Sequence, residues 1–225
     1  MNEVIARAAN PDRAALARVG ERVRQRLAAD PSVHRIPTER MEIWGVSNFL
    51  SLDECAQVMA MIDRVAQPSE LFKTAYVTGY RTSYSGNVER GDPFVRMIER
   101  RIDDLIGLPH PFGETMQGQR YAPGQEFKQH NDFFYTNAAY WKDERKRGGQ
   151  RSITAMIYLN EVEEGGTTDF TRIGLSIPPQ PGVLLAWNNA LPDGTPNIDT
   201  MHAGTPVLRG TKYVITKWYR TRRWG

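Results

Sequence analysis

Beyond residue 110 the chain is cut into short runs rich in β-branched and aromatic residues, with Gly, Pro, Asn and Asp between them. The runs are Gly118–Tyr121, Phe127–Asp132, Ser152–Asn160, Thr167–Thr171, Val183–Asn188, His202–Val207 and Lys212–Arg220. Each is short for a helix and suited to a strand, and turn residues at every break predict a sandwich or barrel. The last run alternates at period two. Lys212, Val214, Thr216 and Trp218 therefore share one face, and Tyr213, Ile215, Lys217 and Tyr219 share the other.

The first half reads differently. Residues 11–29 place Ala15, Leu16, Val19, Val23 and Leu27 near helical spacing, which predicts an amphipathic helix followed by the polar connector DPSVHRIPTER. Ile43–Leu50 reads as a short strand, and Ser51-Leu-Asp-Glu54 is a capping box opening a helix that runs to about Ala66. Pro93 starts another helix with Phe94, Met97, Ile98, Ile102 and Ile106 on its apolar face, and Gly107 stops it. The expected fold is α+β with a mainly β core, a double-stranded β-helix (jelly roll) with supporting N-terminal helices. One folded unit is expected: residues 1–40 as helix and connector, 41–225 as a single domain with its catalytic core at about 111–221.

The 225 residues, 40% hydrophobic and 24% charged, are enough for a proper core. No apolar run approaches bilayer length, and the N-terminus lacks the apolar stretch of a secretory signal. A single cysteine, Cys55, excludes an internal disulfide framework, reads as a buried helix residue and points to a cytoplasmic setting. The net charge is +3 and the pI about 9.0. Of two basic clusters, Lys142–Arg147 is mixed in sign and reads as a solvated loop, and Arg220–Arg223 reads as a soluble end, with contact to nucleic acid as the alternative.

Chemistry concentrates at His130-Asn131-Asp132. On a strand, residues two apart face the same side, so the imidazole and carboxylate offer two adjacent corners of a metal site. The other histidines are His34 in the connector, His110 in a proline-flanked turn, and His202, which opens a strand 70 residues beyond Asp132. Only His202 suits closure from another strand. Two histidines and one carboxylate leave coordination positions open, as in non-haem Fe(II) oxygenases. Zinc competes for such a set, but catalytic zinc sites of this type usually carry an HExxH helix, which is absent. Lys212, ten residues after His202, shares a strand face with Val214 and Trp218, and burying it there is costly unless an anion meets it. A dicarboxylate reaching from the metal would do so.

The stretches RYAPGQEFKQHND, GGQRSITAMIYLNEVEEGGTTDF, PGVLLAWNN and HAGTPVLRGTKYVITKW make residues 118–220 resemble the catalytic core of the prolyl 4-hydroxylase family of 2-oxoglutarate oxygenases. NFLSLDECAQVM, YRTSYSG and DPFVRMIERRIDDLIGLP resemble the family's N-terminal region. The resemblance implies Fe(II) on His130, Asp132 and His202, and the distal carboxylate of 2-oxoglutarate on Lys212. Tyr121 matches a tyrosine near that carboxylate and Thr154 an inward-facing threonine close by. Trp218 matches an active-site tryptophan, and Arg81 the arginine of a mobile substrate loop. O2 is the implied oxidant and ascorbate the reductant. Phe127 and Tyr213 depart from the pattern, where the family often has tyrosine and tryptophan.

The expected substrate is a prolyl residue in a peptide or protein, gripped by two loops. One is Val77–Asp92, read as a lid with Arg81, Tyr80 and Tyr84; the other is Phe133–Gly149, with Tyr135 among its aromatics. Aromatic surfaces favour extended proline-rich chains, which lose little entropy on docking. Hydroxylation of a free amino acid or other small molecule is the alternative, and a non-catalytic jelly-roll module a further one. Nucleic-acid demethylation is disfavoured because those relatives use arginine where this chain has Lys212. No membrane partner is expected, and the chain is read as a monomer or homodimer.

Overall fold

The computed structural model describes residues 10–69 and 79–225; Val77 and Thr78 of the first expected loop lie outside these. In chain order the elements are α1 (Arg13–Ala28), β1 (Val33–Arg35), β2 (Ile43–Val46), α2 (Leu52–Val65), β3 (Gln67–Pro68), β4 (Tyr84–Asn87), α3 (Pro93–Ile106), β5 (Gln117–Tyr121) and β6 (Phe127–His130). There follow the single turn α4 (Trp141–Glu144), β7 (Arg151–Tyr158), β8 (Glu164–Gly165), β9 (Thr168–Phe170), β10 (Leu175–Ile177), β11 (Leu184–Asn188), β12 (His202–Gly204), β13 (Val207–Arg209) and β14 (Lys212–Arg220).

Local chemistry accounts for the helices. The Ser51–Glu54 capping box closes both ways at the start of α2, Glu54 N–H donating to Ser51 Oγ at 3.1 Å and Ser51 N–H to Glu54 Oε2 at 2.8 Å. Asp92 accepts from Phe94 N–H at 2.7 Å to cap α3, and Gly107 ends it with φ +74°, a conformation a side chain would strain. Arg101 of α3 then ties back to Glu54 of α2 at 2.6 Å.

Three layers result. The central sheet has eight antiparallel strands in the order β1-β2-β11-β7-β14-β5-β4-β3. One face carries α1, α2 and α3, with Val23, Val58, Ile62, Ile98 and Ile102 packed on Ile153, Ile157, Leu184 and Ile215. Gly118 of β5 allows the close approach: a Cβ there would lie 2.3 Å from Ile62 Cγ1. The opposite face meets a four-stranded sheet, β10-β9-β12-β6, through a second core built on Tyr158, Phe170, Trp187 and Val214. The two facing sheets are the expected jelly roll, and the helices support it from behind.

Several boundaries differ from the sequence reading. The strand from Ile43 stops at Val46, before Asn48 with φ 54°. The run His202–Val207 divides into β12 and β13, because Val207 leaves β12's sheet to pair with Gly165. Within Val77–Asp92, residues Tyr84–Asn87 are a central-sheet strand paired with Gln117–Arg120, so this part is not a lid. Backbone pairing outweighs its Gly and Ser content. Among the described residues no helix is long and apolar enough to cross a membrane.

Candidate active site

The antiparallel pairing of β12 with β6 sets His202 directly opposite His130, their ring centroids 4.3 Å apart. β6 ends at His130, so Asp132 stands beyond the strand, and the chain's turn, rather than strand alternation, brings its carboxylate back. His130 Nδ1–H donates to the Lys128 carbonyl at 2.8 Å, and His202 Nδ1–H to the Thr200 carbonyl at 2.9 Å. Carbonyls only accept, so both Nε2 lone pairs are left for another partner. Each Nε2 lies 3.9 Å from an Asp132 oxygen, and the donor atoms of the three residues fall within 4.8 Å of one another.

The surroundings hold this set in place. Burial, with His202 alongside, pushes the His130 pKa down to about 3 and keeps the ring neutral. Burial alone would raise the Asp132 pKa, but His202, His130, Arg151 and Thr154 together hold the carboxyl below its ordinary range. Thr154 Oγ1 donates to Asp132 Oδ2 at 2.7 Å while accepting from Asn189 Nδ2 at 2.9 Å, which fixes the rotation of both groups. Phe127 stacks on His130 at 3.6 Å, and Phe170 and Trp187 pack around His202.

Two cavities meet at the triad. The inner one lies between the sheets and is lined by His130, Asp132, His202, Tyr121, Thr168 and Lys212. Lys212 is only 3% exposed, and its nearest polar contacts are long, 3.4 Å to Thr168 Oγ1 and 3.5 Å to the Thr167 carbonyl. No carboxylate lies within ion-pairing distance of it among the described residues. Burial drives its pKa down to about 7, with only Asp169 resisting. The outer cavity, about 420 Å³, shares His130 and Asp132 with the inner one and is lined by Arg81, Glu114, Phe127, Phe134, Arg151 and Trp218, among others.

The remaining sequence candidates divide. Tyr121 is buried near Lys212, the ammonium 5.7 Å from its ring centroid, and its hydroxyl donates to Gln119 Oε1 at 2.7 Å. Thr154 sits on Asp132, beside the two histidines rather than beside Lys212. Trp218 borders both cavities, its indole N–H buried without a hydrogen-bond partner among the described residues. Arg81 lines the outer cavity, donating to Ser83 Oγ at 3.0 Å and Gln117 Oε1 at 3.1 Å. Tyr84 corrects the expectation: it pairs with Arg120, which bonds Asp63 of α2, and so lies on the helix side of the sheet. Tyr135 lines neither cavity and donates instead to Asn131 Oδ1 at 3.1 Å.

Sequence reasoning missed a buried charge network beside the outer cavity. Arg151 forks onto Glu114 at 2.7 and 2.9 Å and lies 4.0 Å from the Trp218 ring centroid; Arg220 joins Glu114 to Glu144 at 2.5 Å each. Asn189 was missed as well, though its place in the run WNN was visible. Nothing local marks these residues as partners.

Comparison with known proteins identifies the family. Residues 116–220 match the model of the 2OG-Fe(II) oxygenase superfamily. The probable prolyl 4-hydroxylase 3 of Arabidopsis thaliana is 33% identical over 196 residues, 76% of this chain and 66% of that protein. The probable prolyl 4-hydroxylase 10 of the same plant is 31% identical over 201 residues, 79% of this chain and 68% of that protein. The chain thus spans about two thirds of the length of these plant relatives. A viral collagen prolyl hydroxylase from Paramecium bursaria Chlorella virus-1, in complex with 2OG, superposes with a TM-score of 0.62 at 26% identity, covering 79% of this chain and 95% of that one.

Proposed function

The chain belongs to the prolyl 4-hydroxylase family of 2OG-Fe(II) oxygenases, and from that premise we propose that it hydroxylates prolyl residues of a peptide or protein. His130, Asp132 and His202 hold Fe(II), and Lys212 anchors the distal carboxylate of 2-oxoglutarate. The observation that carries the reading is the position of the triad at the boundary of two cavities, one ending in a buried ammonium without an anion and the other open. A metal there is in reach of a co-substrate from one side and a substrate from the other.

The donor set fits the ion: two imidazoles locked with Nε2 forward, one carboxylate, and further positions free. Bound iron, 2-oxoglutarate and O2 supply the oxidation, in which the co-substrate becomes succinate and CO2 and one oxygen atom enters a C–H bond. The protein's own part is orientation. Thr154 and Asn189 keep Asp132 turned to the histidines. Lys212 receives a carboxylate in a closed pocket where water competes poorly, and the charge it gains a partner for is the one burial disfavours. Trp218 offers its unpartnered N–H to a substrate carbonyl at the junction. Arg81, above the Phe127 ring at 4.8 Å, borders the same cleft.

Ascorbate as the reductant, a cytoplasmic setting in keeping with the lone Cys55, and a monomeric or homodimeric state complete the proposal. The test compares a (Pro-Ala)-type peptide, free proline and methylated single-stranded DNA, with Fe(II) or Zn(II), by succinate release and a product heavier by one oxygen. Peptide-stimulated succinate with Fe(II) alone is expected. Turnover of only free proline or DNA, or full activity with zinc, would overturn it.

A further inference from the structure

The two basic runs, far apart in sequence, lie side by side in the fold. Arg222 donates to the Arg145 carbonyl at 2.8 Å and its N–H to the Gly148 carbonyl at 3.1 Å, and Gly225 N–H reaches the Arg147 carbonyl at 3.4 Å. Lys142, Arg145, Lys146, Arg147, Arg222 and Arg223 are all exposed. Arg220 and Glu144 neutralise each other below the surface. Against the six exposed cations stand Asp143 and Asp12, an excess of four positive charges where the whole chain carries only +3. Lys142 and Lys146 have no ion-pair partner among the described residues.

This patch borders a groove with a direction. Asp12, Trp141, Lys142, Arg145, Lys146 and Arg222 line it. One wall runs into the outer cavity: Trp141 follows Tyr140, which lines that cavity, and packs on Phe134 of the same cavity with centroids 6.5 Å apart. The other wall, at Arg222, is two residues from Trp224, which also lines the outer cavity. The cationic groove therefore adjoins the outer cleft through Tyr140–Trp141 and Arg222–Trp224.

We propose that this groove takes an acidic segment of the polypeptide substrate, a few residues to one side of the proline presented to the triad. The inference rests on reading the outer cleft as a peptide site. An acidic peptide fits better than a nucleic acid, because Trp141 is buried and offers no exposed ring for base stacking, and Asp143 stands exposed within the patch. Charges of this kind select partners and speed encounter, and salt screens them.

The experiment uses proline-rich peptides identical except for an acidic, neutral or basic flank, with succinate formation as the readout. A labelled acidic peptide without proline is titrated in parallel by fluorescence anisotropy. With wild type, KM for the acidic peptide should be about tenfold below that of the neutral one at low salt, converging above roughly 0.5 M salt as screening removes the attraction. The double variant K142E/K146E, whose thermal melt checks its folding, should lose both that preference and the anisotropy signal. Equal KM values in wild type, or a preference that survives the double charge reversal, would overturn the proposal. So would a single-stranded oligonucleotide that binds the groove more tightly than the acidic peptide. Turnover of no proline peptide at all would sink the peptide reading instead, and the anisotropy titration, which needs no turnover, would still decide the groove.

Discussion

Lys212 and Lys217 lie on one strand, face opposite ways and are both buried, at 3% and 0% exposure. Their surroundings differ completely. Lys217 faces the helices, where Asp103 of α3 lies 2.8 Å away and Glu99 3.6 Å away, and Tyr219 donates its hydroxyl to the same Asp103 at 2.6 Å. Lys212 faces the space between the sheets with two long contacts and, among the described residues, no carboxylate within ion-pairing distance. A buried cation is costly wherever it lies. On the helix side the fold itself supplies the anions, so that charge belongs to the structure. On the cavity side no carboxylate stands within ion-pairing distance among the described residues, and our proposal gives that place to 2-oxoglutarate.

The contrast predicts that substitutions on the cavity face remove activity and leave stability, and that those on the helix face do the reverse. The largest effect is expected for Asp132→Ala, which removes the only carboxylate of the triad: hydroxylation should fall to background while the denaturation midpoint stays near wild type. Retained turnover would show that the triad is not the metal site. Next comes Asp103→Ala, which leaves Lys217 buried with only Glu99 at the longer distance. A loss of about 3–5 kcal/mol in denaturant unfolding is expected. Little change in stability would mean that Glu99 alone balances Lys217, and the contrast with Lys212 would weaken.

Lys212→Met should weaken 2-oxoglutarate binding by about 2–4 kcal/mol without loss of stability, since it removes a charge that burial disfavours. Calorimetric titration and thermal unfolding read the two halves separately, and an unchanged co-substrate affinity would reduce Lys212 to a packing residue. The smallest effect is in pH. The folded Lys212 pKa near 7 lies below its ordinary 10.5, so between those values the unfolded chain binds more protons than the native one. Lys212 therefore makes the ligand-free protein gain stability as pH rises through that window. Binding of 2-oxoglutarate must then take up a proton, and affinity should fall severalfold per pH unit above 7, visible as buffer-dependent binding heats. Lys212→Met should abolish both trends.

Much of the site was legible because its signals are local or periodic. His130 and Asp132 stood out as an HxD pair that His202 could close, and Lys212 as a charge in an apolar alternation. Thr154 was singled out through the family resemblance, but its partner is Asp132 rather than a group beside Lys212. Tyr84 was misplaced because its run reads as a loop, whereas pairing with Gln117–Arg120 makes it a strand and turns it to the helices. The Arg151–Glu114–Arg220–Glu144 network left no mark in the sequence, since its members are each ordinary and far apart along the chain.

The sequence by itself determined the elements whose causes act over a few residues: the Ser51 capping box, the Asp92–Pro93 start and Gly107 stop of α3, and the alternation of Lys212–Arg220. Alternation sorted that strand's side chains into two faces but was silent on what would cover either. Only the tertiary structure decided that α3 brings Asp103 to Lys217, that the sheet opposite sets no carboxylate within ion-pairing distance of Lys212, and that a turn swings Asp132 to within 3.9 Å of both imidazoles. The reason is physical. Hydrogen bonds of caps and turns are satisfied locally, whereas compensation of a buried charge depends on which distant element packs over it.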